Sequence, residues 1–268
     1  MTDVQTVLTL ADAARQMNAD SAYMGGGTVL MRDVNAGEAP ARLIRATDPA
    51  LTDIRTMGDR VTIGAGVTMA QILAQRELEF LHPVARQIGG PQVRNMGTVG
   101  GNIFAPHPYG DFAVALLALG AQVTMAGGSG SARPIDDVVR ERERPSGLVA
   151  SIDVPRPSPG TFGFLKVSRV KPKGVSVLSI AVHAPQSGGR ISGARVAWGA
   201  MGDRPMRGGG VERVLEGQML DTPTIERAVQ VAAEGLNPPT DPLATSWYRS
   251  KVAGVHLRRL LQSMGGRS

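Results

Sequence analysis

The sequence predicts an α+β protein in two parts: an α/β unit over residues 1–170, itself subdivided near residue 55, then an antiparallel sheet with a small helical bundle over 171–268. Three observations carry this. Up to the strand-like "GLVASIDVPRP", segments with helical and strand periodicity alternate. From "TFGFLKVSRV" onward, strand-like runs follow one another with only Gly, Pro and Ser between them, as antiparallel strands do. Two amphipathic stretches then close the chain, and the change of texture places the boundary near residues 158–175.

Residues 8–19, "LTLADAARQMNA", carry apolar positions at helical spacing, with Thr9 and Asp12 as candidate caps. "AYMGGGTVLM" reads as a strand end, a glycine turn and a helix starting around Thr28 to Arg32. "ARLIRATD" and "RVTIGAGVT" read as strands, and Thr68 caps a helix through "TMAQILAQREL". A second helix follows in "PVARQIG", with Pro83 near its start. "GGPQVRNMGTVGGNIFAPHPYGD" is expected to be one long loop, and loops of that length commonly carry function. "FAVALLALGAQVTMAG" reads as helix, Gly120 and strand. After the strands "TFGFLKVSRV", "GVSVLSIAVHAP" and "RISGARVAWGAM" come helices in "TPTIERAVQVAAEGL", capped by Thr222 or Thr224, and in "SWYRSKVAGVHLRRLLQ".

Composition narrows the chemistry. The 268 residues contain no cysteine, so disulfides, thiolate zinc sites and an intrinsic iron–sulfur cluster are excluded for this chain. No stretch approaches the length of apolar residues that crosses a bilayer, and the start lacks an export signal, so a cytoplasmic protein without a membrane span is expected. The formal net charge of +6 favours anionic ligands in general. Lys166, Arg169, Lys171 and Lys173 fall together but without interleaved aromatic residues, which argues against a nucleic-acid surface.

Two glycine loops stand out. A glycine lets the backbone approach an anion closely and turn successive N–H groups toward it. Gly25-Gly26-Gly27-Thr28 has this character, as does Gly97-Thr98-Val99-Gly100-Gly101-Asn102, and Asn102 adds a side-chain donor. Together they suit the two phosphates of a dinucleotide, although each taken alone is also explained as a tight turn. Neither matches GxxxxGK[ST] or GxGxxG.

"GGGTVLM", "VTIGAGVTMAQI", "IGGPQVRNMGTVGGNI", "YGDFAVALLALGAQV" and "SIDVPRP", in this order, resemble the FAD-binding medium subunit of the molybdenum hydroxylase family, of the xanthine dehydrogenase and carbon monoxide dehydrogenase type. The tail "LNPPTDPLATSWYRSKVAGVHLRRLL" is similar to that family's "LDPP…S…YR" pattern, so the resemblance covers nearly the whole chain. It implies a PCMH-type FAD-binding domain over 1–170 and a C-terminal domain of CO dehydrogenase flavoprotein type over 171–268. It implies FAD on this chain, with the molybdopterin cofactor and 2Fe-2S clusters on a large and a small partner subunit, assembled as a dimer of heterotrimers. The role it implies is electron transfer from those clusters to an external acceptor.

Carried over residue by residue, the resemblance assigns the FAD pyrophosphate to backbone amides of Gly25, Gly26, Gly27, Thr28, Val29 and Leu30, and of Gly97, Thr98, Val99, Gly100, Gly101 and Asn102. Asp111 would contact the ribose or adenosine side, with capping of the helix that starts at Phe112 as the plain alternative. Val149 would lie beside the adenine or flavin edge, unless it is ordinary core. Lys166 would place a cation near the flavin N1–C2=O end, unless it is a solvated strand lysine. Two departures from the family pattern are Val29, where relatives often carry Asp or Ser, and Lys173-Gly174-Val175, where relatives carry an acidic residue followed by Ile, Tyr or Phe.

His82 and His107 lack metal-ligand spacing and read as hydrogen-bonding histidines, although His107 is close enough in sequence to the second loop to reach a cofactor. No metal site and no catalytic triad can be built from the sequence. Two rival readings are a self-sufficient PCMH-type flavin oxidoreductase and a non-catalytic assembly subunit whose glycine loops are only turns.

Overall fold

The computed structural model describes residues 2–38, 40–126, 132–143, 145–170 and 174–265. The chain begins with β1 (Asp3–Val7), α1 (Leu10–Gln16), β2 (Ser21–Tyr23), α2 (Leu30–Ala36) and β3 (Arg42–Ala46), whose strands form a parallel sheet in the order β1-β3-β2. Thr9 caps α1 as expected, its hydroxyl oxygen accepting from the Asp12 N–H at 3.0 Å. α2 stops at Gly37, which takes φ +77° and turns its N–H back to the carbonyls of the last turn.

Next come β4 (Ile54–Met57), β5 (Arg60–Gly64) and α3 (Met69–Ala74). Thr68 and Gln71 form a reciprocal capping box at the start of α3. A 3-10 turn over Arg76–Leu81 leads into α4 (His82–Ala85). The long loop expected after it contains two short helices, α5 (Pro91–Met96) and α6 (Val99–Ile103). Pro91 sets the first turn of α5 and the Thr98 hydroxyl caps α6 by accepting from Gly101 N–H. Helices this short do not complete an amphipathic period, so glycine and proline dominate their sequence signal.

Then follow α7 (Asp111–Leu119), β6 (Gln122–Met125), β7 (Ala132–Pro134), α8 (Ile135–Arg140) and β8 (Val149–Pro155). An antiparallel sheet in the order β4-β5-β8-β6-β7 results. The remaining elements are β9 (Phe162–Val167), β10 (Leu178–His183), β11 (Gln186–Ser187), β12 (Arg190–Ile191), β13 (Arg195–Gly199), β14 (Met206–Arg207), α9 (Gly209–Leu215), α10 (Thr222–Gln230) and α11 (Ser246–Gly265). The second antiparallel sheet runs β14-β13-β10-β9, and β11 pairs with β12 in a separate hairpin. α10 is capped by Asp221 rather than by Thr222 or Thr224: its carboxylate accepts from the Thr224 N–H at 2.9 Å. Pro223 still occupies the first turn.

α7 joins the two antiparallel sheets. Every residue from Asp111 to Leu119 is buried, as a helix without a polar face requires. It packs against β10 and β13 on one side and against β8, α8, α4 and α6 elsewhere. Gly199 on β13 permits the approach, since a Cβ there would meet Val114 at 2.7 Å. Gly120, at φ +67°, ends the helix. Among the described residues no helix is long and apolar enough to cross a membrane.

The tail motif has a packing role. Arg249, on α11, is fully buried and its guanidinium donates to the carbonyls of Val177 (2.7 Å), Ala244 (2.9 Å) and Pro239. Both of its Nη2 contacts go to the Asp241 carboxylate, at 2.9 and 2.8 Å. His107 Nε2 lies 2.6 Å from the same carboxylate. Burial would raise the Asp241 pKa, but the hydrogen bonds from His107 and Arg249 overcome it and hold the carboxyl well below the ordinary carboxylate range.

Removing the Arg249 guanidinium strips Asp241 of its bidentate partner and leaves three carbonyls without this donor, so Arg249→Ala should cost about 3–5 kcal/mol in urea unfolding. The depressed Asp241 pKa contributes stability that is present above about pH 4 and is lost as pH falls through the folded value. Unfolding midpoints measured between pH 5 and pH 3 should therefore drop more steeply in the wild type than in Asp241→Asn.

Candidate functional site

A cleft of about 740 Å³ opens between the two glycine loops, the segment 104–111, the segment 145–149, and Lys166 with Gly174 and Val175. That volume falls among ligand sites of ~300–1,000 Å³. Of the residues singled out from sequence, Gly25, Gly26, Gly27, Thr28, Val29, Leu30, Gly97, Thr98, Gly100, Gly101, Asn102, Asp111, Val149 and Lys166 all line it. Val99 does not; it is buried beneath the second loop.

The first loop leaves β2 when Met24 N–H bonds the Ile44 carbonyl, and it rejoins regular structure where Met31 N–H bonds the Gly27 carbonyl. Between these points, the backbone N–H groups of Gly25, Gly26, Gly27, Thr28, Val29 and Leu30 find no acceptor among the described residues. Such a run of free donors facing a cleft is an anion cradle in search of its acceptor. Glycine is required here for a specific reason: a Cβ on Gly26 would run into the Met96 carbonyl oxygen, and one on Gly25 would lie 2.9 Å from the Thr98 hydroxyl. Gly27 takes φ +69°.

The second loop uses its donors differently. Val99 N–H bonds the Val67 carbonyl and Gly100 N–H the Ala65 carbonyl, both at 2.8 Å. Gly101 N–H goes to the Thr98 hydroxyl, Asn102 N–H to the Thr98 carbonyl and Gly97 N–H to the Val93 carbonyl. Thr98 pairs across to Thr68 as an isolated antiparallel bridge. This loop is thus a braced platform against which the first loop rests. The Asn102 side chain is also engaged: its Oδ1 accepts from the N–H groups of Phe112 (2.9 Å) and Ala113 (3.2 Å). Asn102 therefore does the capping of α7 that the sequence assigned as an alternative role to Asp111.

Asp111 is free for another partner. Its carboxylate lies 2.8 Å from Lys166 Nζ and accepts from the Ser176 hydroxyl at 2.6 Å. Lys166 Nζ also donates to the Gln87 carbonyl at 2.9 Å, and the paired side chains are only 5% and 7% exposed. Lys166 is therefore not a solvated strand lysine. Its charge is balanced inside the cleft wall, and the pair ties β9 to α7 and to the end of α4. Lys171 and Lys173 lie outside the described residues.

Several cleft residues were not legible in the sequence. Arg32, on α2, and Tyr109, in the segment before α7, meet across the cleft: Arg32 Nη1 donates to the Tyr109 hydroxyl at 2.6 Å, and the guanidinium carbon lies 4.7 Å from the ring centroid. Arg142 reaches the cleft while bonding the carbonyls of Ala105 (3.3 Å) and Asp203. Periodicity gave these three no distinguishing mark. His82 is buried, with Nε2 3.0 Å from the carbonyls of Ile72 and Gln75, and His107 is engaged by Asp241, so both are hydrogen-bonding histidines. Among the described residues no group of three His, Cys, Asp or Glu could hold a metal ion.

Comparison with known proteins bears on the chain as a whole. The family described as the FAD binding domain in molybdopterin dehydrogenase matches residues 1–157, and the CO dehydrogenase flavoprotein C-terminal domain matches residues 164–264. The chain is 30% identical to the glyceraldehyde dehydrogenase medium chain of Sulfolobus acidocaldarius, over 76% of this chain and 76% of that one. It is 28% identical to the carbon monoxide dehydrogenase medium chain of Afipia carboxidovorans, over 97% of this chain and 95% of its relative. Among solved structures, a chain of cyanide-inactivated Cu,Mo-CO dehydrogenase superposes with a TM-score of 0.88 at 27% identity, covering 100% of this chain and 98% of the other.

The Lys166–Asp111 pair gives a direct test of the cleft wall. Lys166→Met should destabilise the protein by about 3–5 kcal/mol, because it strands a buried carboxylate. Adding Asp111→Asn should recover part of that loss in the double variant, a coupling that a mutant cycle in urea unfolding would resolve.

Proposed function

The chain belongs to the FAD-binding family of the molybdopterin dehydrogenases, and on that premise we propose that it holds FAD in this cleft and relays electrons from iron–sulfur clusters on a partner to an external acceptor. It is an oxidoreductase subunit of the molybdenum hydroxylase type. The observation that carries the assignment of the cleft is the run of unpartnered N–H groups from Gly25 to Leu30. These amides would bind the diphosphate, and the Thr28 hydroxyl adds a further donor. The loss of a polar side chain at Val29 leaves its backbone donor in place.

When bound, the flavin supplies reversible redox chemistry that no side chain of this chain can perform. The protein contributes binding and orientation. Gly97 to Asn102 would support the diphosphate chiefly by holding the first loop in position, with Gly101 at the cleft surface. Val149 and Leu148 would offer apolar wall to a planar ring, and the Lys166–Asp111–Ser176 group fixes the opposite side. The absence of cysteine supports placing the 2Fe-2S clusters on a small partner subunit and the molybdopterin cofactor on a large one. A dimer of such heterotrimers in the cytoplasm is the assembly we infer.

Purified full-length chain, or its complex, should show the visible absorbance of flavin or take it up from added FAD; a well-folded preparation that does neither refutes the proposal. Gly101→Val should abolish flavin retention while changing the unfolding free energy by no more than about 1 kcal/mol. Gly101 lines the cleft, and within 4 Å a Cβ there meets only the Thr98 hydroxyl, at 3.0 Å. Gly100 is the less informative site, since a Cβ would press on Ala65 at 2.8 Å and disturb the fold itself.

A further inference from the structure

The charged residues that line the cleft are Arg32, Asp33, Asp111, Arg142 and Lys166. Lys166 and Asp111 neutralise one another. Arg142 directs its guanidinium to two backbone carbonyls. Arg32 has no carboxylate partner among the described residues; its recorded partner is Tyr109, through both a hydrogen bond and the ring face. Asp33 follows it on α2 but lies roughly 100° further round the helix. Arg32 and Arg142 are thus the cleft cations without a carboxylate partner among the described residues, and whereas Arg142 is held by carbonyls, Arg32 sits two residues beyond the amide cradle and is steadied from the far side by a residue of another segment.

We propose that Arg32 and Tyr109 form a clasp across the cleft in which the Arg32 guanidinium binds the anionic diphosphate that the first glycine loop cradles. The inference rests on the FAD reading above. Backbone amides stabilise an anion by hydrogen bonding but carry no net charge, so a diphosphate held by them alone keeps its formal charge uncompensated. Arg32 supplies one positive charge against it. Only one Nη of its planar fork is committed to Tyr109, which leaves further N–H groups for phosphate oxygens. Stacking on Tyr109 fixes the plane of the fork before the ligand arrives, so less side-chain freedom is lost on binding. The clasp also joins α2 to the segment before α7, so it opposes separation of the two sides of the cleft.

The test is equilibrium and stopped-flow titration of the full-length apo chain with FAD, read by flavin fluorescence. Arg32→Gln should weaken FAD binding about 10- to 100-fold, mainly through faster release. It should also lower the dependence of affinity on salt concentration. Arg32→Lys should fall between, keeping the charge without the planar fork, and Tyr109→Phe should accelerate release severalfold by removing the hydroxyl acceptor while retaining the ring. Arg15→Gln, the same charge change on exposed α1, should leave affinity unaltered. Far-UV circular dichroism and urea unfolding should show that the Arg32 variants fold, as expected for an exposed position. Wild-type FAD binding with unchanged affinity and salt dependence in Arg32→Gln overturns the clasp alone. An equal loss in Arg15→Gln overturns it too, by assigning the effect to overall charge. A wild-type chain that binds no FAD overturns both the clasp and the cofactor assignment.

Discussion

A helix without a polar side has to be covered on every side, and α7 imposes that requirement on the rest of the chain. Nine-residue "DFAVALLAL" cannot rest on a single sheet with its back to water, because apolar surface would remain exposed. The fold answers by placing one antiparallel sheet on each side of it, with Gly199 allowing β13 to close in. The two halves of the chain are consequently joined through a shared core element. The cleft lies at the N-terminal end of this helix, where Asp111 leaves the apolar packing and pairs with Lys166.

That position explains why the wall of the cleft contains a buried ion pair. Asp111 is anchored by α7 and Lys166 by β9, so each is brought into the interior by the packing of its own element. Desolvation would be costly for either alone, and together with Ser176 and the Gln87 carbonyl they satisfy each other. The arrangement makes the wall electrically neutral and mechanically tied to three segments. Under the proposal made above, recognition of the diphosphate charge falls to the glycine loop and Arg32.

The sequence announced the local elements wherever a local rule controls them. Thr9 and Thr68 were readable as caps, and Gly120 as a helix stop, because each acts within a few residues of itself. The two loops were visible as glycine clusters, but their division of labour was not. Whether an amide is free depends on which carbonyl lies opposite, and Ala65 and Val67 are remote in sequence from the N–H groups they accept. The same distance hid Asn102 as the cap of α7, the pairing of Lys166 with Asp111, and the meeting of Arg32 with Tyr109. Helices α5 and α6 were hidden for a different reason, being too short to show a period.

Beneath the second glycine loop the floor of the cleft is built of stacked main chain. The Pro49–Thr52 turn supports the corner Gly64-Ala65-Gly66, with Gly66 N–H bonded to the Leu51 carbonyl, and that corner supports Gly100 in turn. A floor of side chains can change shape by switching rotamers, whereas stacked backbone has none to switch. Its depth is set by the hydrogen-bond ladder beneath it and is fixed before any ligand arrives. Long side chains enter only from the surrounding walls, Arg32, Tyr109 and Arg142 among them. The site thus has a floor whose shape and whose fold are one thing, and a side chain added there, as at Gly64 or Gly100, would register as a change in fold before it registered as a change in grip.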